Sequence, residues 1–464
     1  MKKLLGILLT LTLALSCLSL SASAEEAQLS GSITFLSGET DEEQVTVTRA
    51  LIEAFEKENP GCTINLVLAG MDDREESIMA DLYAGAPVDL ITVDCESIGT
   101  YANAGILYPL DELIERIGED DFIPGSRVQI DGHDYGFPYA GCSMQMFIRT
   151  DLLEEAGLEI PTTWSELLAT AKALTTDDMY GCCLPAGQNN CTTLWMNMFI
   201  NMAGGNVCGE DLQPTLDTEY VVKALEFYKE LAQYCPPGIT SYGYSDQITA
   251  FCSGKAAISF YQGRIIARVY NEAPDLLDKY AVCEVPTCDD GPQLQFASYN
   301  YYALGKNTQN PELAMAFLEF MCTGENAAQF ALSAPGHITP SLYSVKEILT
   351  TILETTDDPM LSKNAARILF SYDHAASEKT FNESANAGGV KGTTFETNGI
   401  LNTNYAYVRQ YNILSEMVQQ VLINGVEPAD AAKAAQQNFE DIRYCQELCA
   451  KSVCRLRLNE VSQQ

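Results

Sequence analysis

The chain has 464 residues, 47% of them hydrophobic, and a formal net charge of -36 from 63 acidic against 27 basic residues. That length can bury a large core and is enough for two or three domains. The acidic excess argues against nucleic acid and anionic membrane surfaces as partners, because both would be repelled.

The first elements describe an export signal. Lys2 and Lys3 precede the apolar run Leu4 to Leu15, and Ala22-Ser23-Ala24 is a small-residue cleavage site, so residues 1–24 read as a signal peptide. Ala14-Leu15-Ser16-Cys17 is an imperfect match to a lipid-acceptor box, and cleavage after Ala24 is the preferred reading over a lipid anchor at Cys17. No later stretch approaches the apolar length needed to span a bilayer. The mature chain is therefore expected to be exported, whether periplasmic, extracellular or held at the cell surface. The sixteen cysteines are scattered, and several lie among apolar residues, where a small buried hydrophobe is the default reading.

Strands and helices then alternate. Residues 32–36 are β-rich, a helix follows to Lys57, and residues 63–68 form a second strand. A second helix is expected over 72–83, a strand over 89–94, and helices over 98–104 and 111–118. This alternation predicts a parallel sheet covered on both faces. Ligands of such sheets sit beyond the carboxyl ends of the strands, which points to residues 37–40 and 94–97.

The stretch 130–174 changes course. Tyr135-Gly136-Phe137-Pro138-Tyr139 is aromatic but broken by Gly and Pro, so it suits a strand start, an edge or a crossing point. A buried strand is expected over 142–149, and Thr150-Asp151 can cap a helix that Gly157 ends. Thr163-Trp164-Ser165-Glu166 is a capping box for the next helix. Beyond it the chain is more helical, with strands expected at 254–260, 280–286 and 298–305 and a Gly-rich loop at 387–392.

Motifs for chemistry are sparse. There is no phosphate-cradling loop, only three histidines are present, and the cysteine spacings do not match a zinc site. No metal, cofactor or catalytic residue is assigned, and the chain is not read as an enzyme. Aromatic residues at predicted loop and strand ends, among them Tyr139, Trp195, Tyr261, Tyr299 and Tyr301, suit the apolar faces of a sugar ring.

Four blocks in order carry a family resemblance: Ala84-Gly-Ala-Pro-Val-Asp89 with Ala104-Gly-Ile-Leu-Tyr-Pro-Leu110; Asp131-Gly-His-Asp-Tyr-Gly-Phe-Pro138 through Trp164-Ser-Glu166; Phe251-Cys-Ser-Gly254-Lys-Ala256; and Asn310-Pro-Glu-Leu-Ala314 with Phe317-Leu-Glu-Phe320. The chain resembles the extracellular solute-binding proteins of ABC importers, in the family that includes maltose-binding proteins. The resemblance implies an α/β, two-lobed periplasmic-binding-protein-like fold of type II, each lobe a mostly parallel sheet flanked by helices, joined by a hinge. Lobe 1 would comprise 25–140 plus 298–332, and lobe 2 would comprise 141–297 plus 333–464. Chain crossings are expected near 138–142, 297–300 and 332–337. The cleft would take Gly38, Glu39, Asp94 and Glu96 from lobe 1, Trp195, Tyr261 and Arg264 from lobe 2, and Tyr139, Tyr299 and Asn300 near the hinge. The implied function is capture of a carbohydrate, an oligosaccharide above all, for delivery to the permease subunits of an ABC importer by a monomer. A secreted carbohydrate-active hydrolase or a lectin-like module is the alternative. Relatives often carry a Trp after the Gly-Lys-Ala strand. Here Tyr261-Gln-Gly-Arg264 stands there, so Tyr261 is expected to stack, and Arg264 either meets an acidic or strongly hydrogen-bonding group such as a uronate carboxylate or, as the slightly preferred reading, pairs with one of the many local carboxylates.

Overall fold

The computed structural model describes residues 29–69, 88–94, 97–377, 379–382, 393 and 404–461. The signal segment, the helix expected over 72–83, Glu96 and the Gly-rich loop at 387–392 lie outside the described residues.

Lobe 1 is built on β1 (Gly31–Ser37), α1 (Glu42–Glu58), β2 (Cys62–Leu68), β3 (Leu90–Val93), α2 (Ile98–Asn103), β4 (Leu107–Tyr108) and α3 (Asp111–Ile117). The expected alternation is there, and β1 pairs in parallel with both β2 and β3. The helix α1 buries Gln44, Thr48, Leu51, Ile52 and Phe55, the one face that a helical period offers to the sheet. A small hairpin, β5 (Gln129–Ile130) and β6 (His133–Asp134), leads into β7 (Phe137–Ser143).

The chain changes sheets at Met144. β7 belongs to the seven-stranded sheet, whereas β8 (Gln145–Arg149) is the centre of a three-stranded sheet. The buried run expected over 142–149 is thus two strands, split where the chain passes from one sheet to the other. α4 (Thr150–Ala156) follows, and its expected side-chain cap is absent. The Asp151 carboxylate instead takes two hydrogen bonds from Arg149, at 2.7 and 2.6 Å. The capping box of α5 (Trp164–Leu174) is formed by Thr163 and Glu166 as read, and Trp164 stacks on Phe227 at 4.1 Å.

Lobe 2 surrounds α6 (Asn190–Ala203), whose side chains from Cys191 to Ala203 are all buried. A helix buried on every side, as this one is, is an interior helix. It is covered by α7 (Glu219–Ala232) and by helices from the C-terminal part of the chain. α8 (Tyr244–Cys252) precedes β9 (Ile258–Tyr261), then α9 (Arg264–Glu272) and β10 (Tyr280–Cys283). β9 and β10 both pair antiparallel with β8. A mostly parallel sheet in each lobe is therefore corrected: the small sheet is antiparallel, and the large one is mixed. The cause is the long β11 (Gln295–Gly305), which returns to lobe 1 and runs antiparallel to β3, β4 and β7.

α10 (Pro311–Cys322) and α11 (Gly324–Ala331) close lobe 1, and α12 (Tyr343–Thr355) packs on α11 and on α13 (Pro359–Ala375). A short β12 (Thr380–Asn382) joins β11 in parallel. α14 (Tyr405–Gln410) and α15 (Ile413–Leu422) pack on α6, and α16 (Pro428–Val461) packs on α7 and α15. Among the described residues no helix is long and apolar enough to cross a membrane.

The junction between the sheets is dense. Gly141 exchanges two backbone hydrogen bonds with Thr339, at 2.9 and 2.7 Å. Gly263 abuts Gly336 so closely that a Cβ on Gly263 would stand 2.0 Å from the Gly336 carbonyl. Only glycine permits that approach of two backbones. In β7 the ladder slips opposite Pro138: Ala140 faces Asn300 and Pro138 faces Tyr301, which places Tyr139 in a bulge.

Candidate functional site

The carboxyl ends of β1 and β3 form the rim of lobe 1. Gly38 is buried, and its N–H donates to Thr92 Oγ1 at 2.8 Å, which ties the end of β1 to β3. Glu39 is half-buried and accepts from Tyr139 Oη at 2.7 Å and from Gln44 Nε2 at 2.8 Å. Burial, and after it the nearby Glu39 carboxylate, push the Cys142 thiol up. Asp94, 6% exposed, accepts from Arg409 Nη1 at 2.9 Å.

The bulge sends the Tyr139 ring into lobe 1. It is 7% exposed and stacks on Tyr302 with centroids 3.8 Å apart. Its face is therefore taken up by packing, and its hydroxyl serves Glu39. Behind it lies a cavity of about 20 Å³, walled by Phe137, Phe330 and Val345 among others. That volume suits a water-sized group and no sugar.

Lobe 2 presents an aromatic corner. Trp195 lies on α6 with its ring 6.4 Å from Tyr261, and Tyr261 meets Tyr244 edge-on at 6.1 Å. Asn190, at the start of α6, donates through Nδ2 to Tyr244 Oη at 3.3 Å. Trp195 is fully buried, yet its Nε1 has no hydrogen-bond partner among the described residues, and neither has Asn190 Oδ1. A buried indole N–H normally finds a partner. Burial also pushes the Tyr261 hydroxyl up, so it stays a neutral donor.

Arg264 opens α9 and reaches back across the junction. It forms an ion pair with Asp41 and donates to Gln44 Oε1 at 3.5 Å. Burial lowers the pKa of Arg264, and Glu39 opposes that. His337, buried nearby, is held well below its ordinary value by burial and by the Arg264 charge. Tyr299 and Asn300 lie on β11 beside the hinge. Tyr299 is buried with its ring against Gly141, and its Oη has no partner among the described residues. Asn300 is half-buried opposite Ala140.

Two sets of expected residues are thus brought together. Glu39, Tyr139 and Arg264 share one network through Gln44, and Trp195 meets Tyr261. Asp94 is separate and pairs with a residue that sequence reasoning missed. Arg409 sits in Tyr405-Ala-Tyr-Val-Arg409, and the local density of tyrosines was the one available signal. The arrangement offers aromatic faces, neutral donors and carboxylate acceptors. Among the described residues no group of three or more His, Cys, Asp or Glu is placed to hold a metal ion.

Comparison with known proteins agrees with this architecture. The family model for bacterial extracellular solute-binding proteins matches residues 39–328. A putative ABC transporter periplasmic-binding protein of Escherichia coli is 28% identical over 340 residues, covering 70% of this chain and 76% of the relative. A mannitol-binding protein of Pseudomonas aeruginosa is 28% identical over 53% of this chain and 57% of its own length. Among solved structures, a Thermotoga lettingae solute-binding protein bound with α-D-tagatose has a TM-score of 0.70 at 22% identity, covering 89% of this chain and all of the other. A maltose-bound T. maritima protein has a TM-score of 0.71 at 19% identity, covering 89% of this chain and 99% of the other. At those identities the structures establish the shared two-lobed fold.

Proposed function

The chain belongs to the family of bacterial extracellular solute-binding proteins, and from that premise we propose that it captures a carbohydrate between its lobes for an ABC importer. The ligand is a short oligosaccharide or a related polyol. The protein binds it as a monomer without turnover and hands it to the permease subunits. The observation that carries this reading is the corner of Trp195, Tyr244 and Tyr261 with the unpartnered Trp195 Nε1 and Asn190 Oδ1. Sugars present apolar C–H faces to aromatic rings and hydroxyls to such polar atoms. The relative named for mannitol and the maltose-bound structure support the same class.

In this reading Gly38, Glu39, Asp94 and Glu96 line the lobe 1 side, with Trp195, Tyr261 and Arg264 facing them and Tyr139, Tyr299 and Asn300 bracing the hinge. Lobe 1 takes 25–140 plus 298–332, and lobe 2 takes 141–297 plus 333–464. The change of sheets at Met144 supports the first boundary. Export follows cleavage after Ala24.

The two tryptophans allow a direct test. In a Trp164→Phe variant Trp195 is the only indole, and titration with maltose, maltotriose or mannitol should shift its emission saturably. If calorimetry detects binding of one of these sugars while that emission stays constant, Trp195 is not at the site.

A further inference from the structure

Two arginines cross from one lobe to the other. Arg264 stands at the start of α9, directly after β9 of the small sheet, and its partner Asp41 follows β1 of the large sheet. Arg409 lies on α14, which packs on α6, α15 and α16 of lobe 2, and its partner Asp94 ends β3 of the large sheet. β1 and β3 are neighbours in that sheet, with Phe35 opposite Leu90, so both carboxylates belong to the one rim that faces the cleft. The pairs span 223 and 315 residues of chain. They have no local role in folding a helix or a turn.

The net charge gives these contacts weight. A chain with 63 acidic and 27 basic residues repels itself, and closing a cleft brings two negative surfaces together. Cationic groups at the line of contact offset that repulsion, and removing one takes a counter-charge away from a rim carboxylate. Asp94 is the more sheltered acceptor, its side chain 7% exposed against 47% for Asp41.

We propose that Arg264 and Arg409 are positioning residues of the binding cycle: they latch the lobes across the cleft, so that the closed form is populated without ligand. Arg409 also holds the Asp94 carboxylate in place at 2.9 Å. Because each guanidinium already has its counter-charge within the chain, neither is left over for an acidic ligand group. This inference rests on the two-lobed fold and not on the identity of the solute, so sugar-binding assays can fail without touching it.

Small-angle scattering on the unliganded full chain tests it. In about 10 mM salt the wild type should be compact, and in about 1 M salt, where the Debye length is roughly 3 Å, the more exposed Arg264–Asp41 pair should weaken and the chain expand. An R264Q/R409Q variant with a native far-UV spectrum should be expanded at both salts, by roughly 1 Å over the ~22 Å radius of gyration of a compact chain this size. R264K/R409K should restore part of the compaction, which a merely structural role would not predict. Equal radii for wild type and R264Q/R409Q at low salt would overturn the proposal. If the double variant fails to fold, the wild-type salt titration decides alone: a radius independent of salt contradicts the latch.

Discussion

At the scale of single residues, the junction between the lobes depends on atoms that are missing. A Cβ at Gly263 would meet the Gly336 carbonyl at 2.0 Å and the His337 nitrogen at 2.5 Å. Neither is the end of a flexible side chain, so backbone must move. Gly263→Ala should lower the urea midpoint, with a loss of about 1–3 kcal/mol or more, as over-packing does. A wild-type midpoint would mean that these segments do not cross so closely. The same scale shows what a sequence can and cannot reveal about a site. Glu39 and Asp94 were singled out because they follow β-rich runs and ligands gather beyond strand ends, and the structure places them just past β1 and β3. Tyr139 was read as a cleft aromatic near the hinge, and no local pattern foretold the bulge opposite Pro138 or its stack on Tyr302. Arg409 was not legible, since its partner lies 315 residues earlier and no local pattern encodes such a contact.

At the scale of elements, α13 carries a titratable device of its own. His374 lies in its last turn, stacked on Phe370, with Nε2 3.1 Å from Gln295 Oε1. A helix C-terminus favours a charged imidazole, but burial outweighs it and, with Lys379 nearby, pulls the pKa down to about 4. The sign follows. Between pH 6.5 and 4 the unfolded chain takes up a proton that the native chain does not, so stability is full above pH 6.5 and declines as pH falls toward 4. The expected loss is on the order of 3 kcal/mol for a shift of that size, and His337 is displaced in the same direction. Urea denaturation at pH 7.5 and 4.5 should show the decline, and His374→Gln should flatten part of it. An unchanged slope in that variant would remove His374 from the account. Helices such as α1, α5 and α7 were legible from their periods and caps. The small sheet was not, because β8 pairs with strands more than a hundred residues further on.

At the scale of the whole molecule, the α/β alternation near the N-terminus marked out lobe 1, whereas the division into lobes followed from the resemblance. The large sheet needs β11 to return from the far side of lobe 2, which is why it is mixed. In the proposed reading, closure brings together a rim of carboxylates, an aromatic corner and two arginines. The central claim is that this closure captures a carbohydrate. Titration calorimetry of the mature chain against maltose, maltotriose, mannitol and tagatose tests it most directly. The account predicts saturable binding of at least one of them at one site per chain, with the sugar recovered unchanged. Absence of binding to all four, or conversion of the bound sugar into products, would contradict it.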